Sequence, residues 1–440
     1  MREDAAVRGE ARFAGDLAQA GALALVIVSS TVAAGRVRID ADAARAAPGV
    51  VAVFVADDLD LEPIHEIAAI PERFAQPPLA RDAVHYVGEH LAAVVADSEA
   101  AAVDAAELVV VDYDVDEPST DGDDDDDDDD ALTWERPAAR DAFAGADVTV
   151  RAEVAMPRLA VAPMEGRAAL AVPARDGRLT LWLSTQSPHW SRVQMARTLR
   201  MPVDEIRVLA PRVGGGFGGK ANGGIAAYAV VAAAARRLQR PVRFVESRTD
   251  NLVTMQGRGV HLRGVLHARF DGAIVGLEVD ERCDAGAYPT TGSVEPGKTE
   301  LMACGPYRVP AVRFSGRSVL TARTPTGAYR GPGRSEATAI LERLLDELAR
   351  ATGLDPIEVR RRNLVGPAEL PLVTASGAEV ADADHPRVLD TLLDTVDVDA
   401  WRARRTARLD AGDPHALGIG IATALDSTAW FARTERPWSR

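Results

Sequence analysis

The chain has 440 residues, 47% of them hydrophobic, enough to bury cores in about two to three domains. Its 66 acidic and 50 basic residues give a formal charge of −16, which argues against nucleic acid as a partner, since binding phosphates needs a basic footprint. No apolar run reaches the roughly 18 residues of a membrane span, and Met1-Arg-Glu-Asp-Ala-Ala lacks the apolar centre of a signal peptide, so no membrane contact and a cytoplasmic location are expected. The two cysteines, Cys283 and Cys304, are too few for a disulfide framework or a four-thiolate cluster and read as buried thiols.

From the N-terminus, Leu23 to Ser29, Val50 to Val55 and Leu91 to Val95 are apolar runs of strand length, and Val109 to Tyr113 adds another. Ala41 to Ala47 reads as a short helix, and Asp97 to Leu108 as an alanine-rich one with Asp97 or Ser98 as its cap. Residues 8–118 therefore form a small α/β domain. Residues 119–134 follow as an acidic linker, because the eight consecutive aspartates Asp123 to Asp130 repel one another and are expected to be solvated and disordered.

Residues 135–440 form a larger region. Asp147 to Met156, Ala168 to Val172 and Leu179 to Leu183 read as strands. Pro188 to Leu199 reads as a helix with Ser187 at its N-cap and proline in its first turn. Val260 to Phe270 and Ala273 to Cys283 make a hairpin around Asp271-Gly272. Arg334 to Ala351 is an amphipathic helix, and Asp355-Pro-Ile-Glu358 opens the next with a capping box, Leu354 and Val359 supplying a hydrophobic staple. Arg387 to Val396 and Ala400 to Asp410 are further helices.

The stretch Pro211 to Lys220 carries five glycines in ten residues, between the apolar run Ile206, Val208, Leu209 and a helical pattern from Asn222 to Leu238. A glycine loop between strand and helix lets backbone N–H groups approach an anion, and the helix N-terminus adds unpaired donors. Several readings are open on the residues alone. Gly214, Gly219 and Lys220 fit a P-loop, but Ala221 stands where its Mg²⁺-binding Ser or Thr belongs. Gly214, Gly216 and Gly219 fit a dinucleotide fingerprint, with Glu246 as its acidic residue, further off than the usual spacing of about 20 residues. A ligand-free glycine turn is the third reading. Phe217 speaks against it, as a side chain wedged into a fixed loop.

Val213-Gly-Gly-Gly-Phe-Gly-Gly-Lys220 also resembles the first glycine loop of the molybdopterin-binding large subunits of the xanthine dehydrogenase and aldehyde oxidase family. Gly327-Ala-Tyr-Arg-Gly-Pro-Gly-Arg334, Ser184-Thr-Gln-Ser-Pro-His189, Ala162-Pro-Met-Glu-Gly-Arg167, Ala11-Arg-Phe-Ala-Gly-Asp16 and Tyr86-Val-Gly-Glu89 match the same subunits in order and spacing. The resemblance covers nearly the whole chain. It implies an α+β protein: an N-terminal α/β hammerhead-like domain over 8–118, then the first part of a molybdopterin-binding domain over 135–440. Its cofactor would be molybdenum held by molybdopterin, in the cytosine dinucleotide form. It would oxidise aldehydes or N-heterocycles with oxygen from water. A [2Fe-2S] small subunit and an FAD-binding medium subunit would carry the electrons away.

The site residues that this resemblance implies are specific. Gln186 matches the glutamine that approaches the metal. Gly215, Gly216, Phe217 and Gly218 match the loop lying against it, and Arg330 matches the arginine of the second loop. Lys220 is left open between facing the cofactor and being solvated. Glu165 and Glu336 are expected to serve packing and loop hydrogen bonds. The substrate pocket departs from purine-oxidising members at three positions: Ala221 replaces a glutamate, Lys298 an arginine, and Pro332 a phenylalanine. Xanthine is therefore not expected. Gly331 stands where carbon monoxide dehydrogenases carry a cysteine that binds copper, so no copper site is expected.

Family members run to roughly twice this length, and their general-base glutamate lies in the half that is missing here, so no catalytic residue is assigned in this chain. The expectation is a chain inactive alone, either complemented by a separately encoded second half or truncated, with exposed apolar surface that favours association. A catalytically dead remnant with an assembly role, and a nucleotide-binding dehydrogenase using the glycine loop, are the alternatives.

Overall fold

The computed structural model describes residues 4–65, 67, 70–120, 130–221 and 223–426. The first sheet has seven strands, in the order Ile206–Leu209, Leu179–Leu183, Ala168–Pro173, Val242–Val245, Leu23–Ser29, His90–Ala96 and Val50–Val55. It joins strands from the N-terminal region with strands from the middle of the chain: Leu23 pairs in parallel with Val242, and Ala24 antiparallel with Ala96. Residues of the early α/β region and of the glycine-loop region thus share one hydrogen-bonded layer.

Why that layer is stable follows from its composition. His90–Ala96 is buried almost throughout, a continuous apolar run covered on both faces. Helix Ile225–Leu238 packs on the sheet and is buried on every side from Ile225 to Ala235. Its many alanines let strands and the helix Pro188–Thr198 approach closely while keeping high helix propensity. The glycine loop is therefore anchored at both ends in the most buried part of the molecule.

The second sheet has five strands, in the order Asp130–Arg136, Val312–Leu320, Ile274–Gly286, Gln256–Ala268 and Val148–Ala160. Helix Arg334–Thr352 lies across it. A Cβ at Gly264 would come within 2.7 Å of Ile340 Cγ1 and 2.8 Å of Leu344 Cδ1, so glycine there lets the helix lie flush. A three-stranded sheet, Ala83–Val84, Gly35–Asp40 and Val110–Val115, completes the N-terminal region.

Several local expectations change. Gly35–Asp40 is a strand that the apolar pattern alone did not mark, with only Val37 and Ile39 as its apolar residues. Strand Asp130–Arg136 takes the last residues of the segment expected to be a disordered linker, because it pairs with Val312–Leu320 and buries Trp134. Residues 123–129 of the aspartate tract lie outside the described residues. Ser187 makes no side-chain cap, and Thr185 Oγ1 instead accepts from its amide at 3.1 Å. Asp355 caps its helix through Ile357 N at 2.7 Å, but Glu358 does not close the capping box, since Arg362 Nε takes it at 2.7 Å. Among the described residues no helix is long and apolar enough to cross a membrane.

The second core is flanked by a large, fully buried cation, Arg360. It binds Glu342 at 2.7 Å and Asp346 at 2.9 Å. Removing one partner of such a pair strands a charge in low dielectric. Arg360→Met is expected to cost about 3–5 kcal/mol of unfolding free energy in urea titration, and a loss below about 1 kcal/mol would contradict this account.

Candidate functional site

The first glycine loop leaves strand Ile206–Leu209 and enters helix Ile225–Leu238. Gly215, Phe217 and Gly218 all take positive φ, +95°, +50° and +96°. For a phenylalanine this is an uncommon, strained conformation, worth noting beside a candidate site. Its ring lies over its own loop, near enough that a Cβ on Gly215 would sit 3.0 Å from it. Yet the ring is not wedged inside as expected: Phe217 is 42% exposed and presents an aromatic face outward.

Gln186 reaches this loop from the turn before helix Pro188–Thr198. Its Oε1 accepts from Gly218 N at 3.0 Å and from Lys220 N at 3.3 Å, and its own amide donates to Lys220 O at 2.9 Å. A Cβ on Gly216 would overlap that carboxamide, so the glycine makes room for the glutamine.

Beneath the loop sits Glu165. Its Oε2 accepts from Gly214 N at 2.7 Å, Ser184 Oγ at 2.8 Å and Lys220 Nζ at 3.0 Å. Lys220 is fully buried rather than solvated, and it staples the loop from below through Glu165. Burial lowers the Lys220 pKa, and the bond to Glu165 opposes that. Glu246, the acidic residue of the dinucleotide reading, is likewise engaged. It takes Arg167 Nη1 at 2.8 Å, Arg167 N at 2.9 Å and Asn251 Nδ2 at 2.7 Å. Burial pushes its carboxyl up, but Arg167 and these hydrogen bonds outweigh it and hold it below the ordinary range. That carboxylate is consumed by structure and is not presented to a ribose.

The second loop, residues 327–334, packs directly on the first. Arg330 N donates to Phe217 O at 2.9 Å, and a Cβ on Gly218 would overlap the Ala328 carbonyl. The loop is pinned further by Gly327 N to Gln256 O at 2.8 Å and Ala328 N to Thr291 Oγ1 at 3.1 Å. Gln186, Gly215 to Gly218 and Arg330 are thus brought to one place, with Gln186, Phe217 and Arg330 all exposed. Of the three expected pocket positions, Lys298 and Pro332 belong to the second loop's surroundings: a Cβ on Gly333 would overlap Lys298 Cβ. Ala221 closes the first loop instead, its amide on Gly218 O at 3.0 Å.

A buried cluster behind the second loop was not singled out from the sequence. Arg258, in strand Gln256–Ala268, pairs with Glu336 and lies 3.4 Å from Glu295 Oε1. Glu295 Oε1 also accepts from Gly333 N at 3.2 Å. Burial first, then the neighbouring Glu336, pushes the Glu295 carboxyl up to about 8, and burial brings Lys298 down to about 8. Glu281, beside them, is also pushed well up by burial. The one sequence cue was Gly257-Arg-Gly259 inside an otherwise regular strand. Among the described residues no group of His, Cys, Asp or Glu is placed to hold a metal ion. The exposed loops offer backbone amides, a carboxamide, a guanidinium and an aromatic face, a donor set suited to an anionic organic ligand rather than to a bare cation.

Comparison with known proteins points the same way. Residues 123–364 match the family described as molybdopterin cofactor-binding domain, and residues 8–117 the aldehyde oxidase and xanthine dehydrogenase a/b hammerhead domain. The carbon monoxide dehydrogenase large chain of Hydrogenophaga pseudoflava is 33% identical over 96% of this chain and 57% of its own length. The nicotine 6-hydroxylase large subunit of Paenarthrobacter nicotinovorans is 33% identical over 96% of this chain and 54% of its own. Quinoline 2-oxidoreductase from Pseudomonas putida 86 superposes with a TM-score of 0.88 at 32% identity, covering 93% of this chain and 55% of that one. The chain spans about half the length of the curated relatives it matches.

The two central glycines separate packing from positioning. Gly216→Ala meets a side chain rather than backbone, but displacing Gln186 gives up its bonds to Gly218 N and Lys220 N, so stability is expected to fall by about 1 kcal/mol. Gly218→Ala meets a backbone carbonyl at positive φ and is expected to cost about 2–4 kcal/mol. Equal losses in urea titration would contradict this geometry. The Glu295 carboxyl gives a pH test. Its raised value means that its contribution to stability is fully present below the ordinary carboxylate range and is lost as pH rises to about 8. Glu295→Gln should flatten that decline in unfolding free energy between about pH 5 and pH 8, and an unchanged slope would sink the assignment.

Proposed function

Because the chain belongs to the xanthine dehydrogenase and aldehyde oxidase family of molybdopterin-binding large subunits, we propose that it is the first half of a molybdenum hydroxylase catalytic subunit acting on aldehydes or N-heterocycles. The observation that carries this reading is the junction of the two loops: Gln186, Gly215 to Gly218 and Arg330 meet at one exposed surface, locked by Arg330 N on Phe217 O.

When bound, molybdenum in its molybdopterin, in the cytosine dinucleotide form, supplies hydroxylation of a substrate carbon with oxygen from water. The chain's own residues bind and orient. Gln186 spends its Oε1 on the loop and offers the ligand its Nε2 as a donor. Its Oε1 is held by two loop amides, so its orientation is fixed in advance of binding. The Arg330 guanidinium, always charged, offsets anionic sulfur and oxygen. Phe217 gives an exposed apolar face beside these groups.

The base that takes a proton from water is assigned to another polypeptide segment. Glu165 is spent on Lys220 and Gly214, and Glu336 on Arg258, so neither motif glutamate is available for that role. The portion of the relatives that this chain does not span would supply it. An iron–sulfur small subunit and an FAD-binding medium subunit would take the electrons. Xanthine is disfavoured by Ala221 and Pro332, which offer no carboxylate and no stacking ring, and Gly331 offers no thiolate for copper. The substrate class is therefore aldehydes or aromatic N-heterocycles, with Lys298 packed beside the second loop at Gly333.

The test is elemental and functional. The chain expressed in a molybdopterin-producing host should retain molybdenum and pterin, and should show no dye-linked aldehyde or N-heterocycle oxidation until the companion polypeptides are added. Turnover by the chain alone would refute the division of labour, and absence of pterin and molybdenum under all conditions would favour a remnant that binds no cofactor.

A further inference from the structure

One buried group has no role in the reading above. Arg258 lies inside strand Gln256–Ala268 with φ +64°, and Gly259 beside it has φ +88°. Two consecutive positive φ values break the strand's two-residue alternation, and Gly257 and Arg258 are both buried. The arginine is turned inward, where a charged side chain needs several partners to offset lost hydration.

Those partners all belong to the second loop or its supports. Arg258 Nη2 donates to Arg330 O at 2.8 Å and to Ser335 Oγ at 3.2 Å. Nη1 pairs with Glu336 and lies 3.4 Å from Glu295 Oε1, which in turn holds Gly333 N. The guanidinium carbon stands 5.1 Å from the Tyr329 ring centroid. The strand itself lies flush on the loop: a Cβ on Gly257 would sit 2.7 Å from Tyr329 Cβ and 3.0 Å from Gly327 O. Only a planar fork serves a carbonyl, a hydroxyl and two carboxyl groups together, so lysine would not substitute fully.

We infer that Arg258 is a positioning residue: by holding the Arg330 carbonyl on one side of its fork and Glu336 with Glu295 on the other, it fixes residues 329–333 and so holds Arg330 in its place against Phe217. The other ionisable groups packed around the cluster are Glu281 and Cys283 on strand Ile274–Gly286, Lys298 on helix Glu295–Met302 and Arg334 at the start of helix Arg334–Thr352. The electrostatic surroundings are thus mixed in sign, and the geometric tether rather than net charge sets the loop. The importance of that placement rests on the proposed molybdopterin role of that loop, whereas the tether itself does not.

Site-resolved hydrogen exchange on the full chain tests the tether without any cofactor. Arg258→Met should speed exchange of the Tyr329, Arg330, Gly331 and Gly333 amides by about tenfold or more, Arg258→Lys should recover part of that protection, and the strand His90–Ala96 should be unchanged. Should Arg258→Met fail to fold, Ser335→Ala combined with Glu336→Gln removes two of its partners and should speed the same amides by about threefold or more. In chain loaded with molybdopterin, pterin fluorescence should report faster cofactor release in Arg258→Met than in Arg258→Lys. Unchanged exchange at 329–333, or an equal loss of protection over the whole chain, would overturn the tether. A wild-type chain that binds no molybdopterin but keeps the exchange pattern would instead overturn the proposed function and leave the tether standing.

Discussion

The site depends on two stretches of backbone coming closer than any side chain would allow. Phe217 O accepts from Arg330 N at 2.9 Å, and Gly218 has no room for even a Cβ against the Ala328 carbonyl. Side chains that reach a common ligand from loops more than 100 residues apart need such a junction, since each loop alone is free to wander. Glycine is required at the contact because the approach is backbone on backbone, not because the loop must be pliable.

Each loop is then held from behind by a buried charge. Glu165 and Lys220 lie under the first, and Arg258 with Glu295 and Glu336 under the second. Buried ion pairs are poor sources of net stability, because desolvation consumes much of the attraction. What they provide here is direction: Glu165 also binds Gly214 N, Arg258 the Arg330 carbonyl and Glu295 Gly333 N, while Lys220 and Glu336 hold those side chains in place. The arrangement spends stability to fix geometry, as expected where binding groups must be oriented before a ligand arrives. The sheet that mixes strands Leu23–Ser29 and Val242–Val245 anchors the whole on a well-packed core.

The parts of this architecture written in short-range pattern are readable from sequence. Runs such as Leu23 to Ser29, the alanine-rich helix up to Leu238 and the hairpin at Asp271-Gly272 announce themselves through local periodicity and turn residues. The loop residues Gln186, Phe217 and Arg330 are found through motifs. What escaped depends on distant partners. Lys220 looks like a surface lysine until Glu165, 55 residues earlier, is seen beneath it. Arg258 gains its meaning from Glu295, Glu336 and Arg330, separated from it by 37, 78 and 72 residues. Strand Asp130–Arg136 was hidden by the acidic run before it and is specified by its pairing with Val312–Leu320. Phe217 was expected to be wedged inside because a lone aromatic among glycines suggests a plug; the positive φ instead turns its ring outward.

The claim that the two loops form one unit is tested most directly by native-state hydrogen exchange of the wild-type chain at increasing denaturant. The Gly218 amide, bonded to Gln186, and the Arg330 amide, bonded to Phe217, should open together in a single step, before the strands Leu23–Ser29 and His90–Ala96. An Arg330 amide that exchanges freely while Gly218 stays protected would mean that the loops do not meet, and the account would fall.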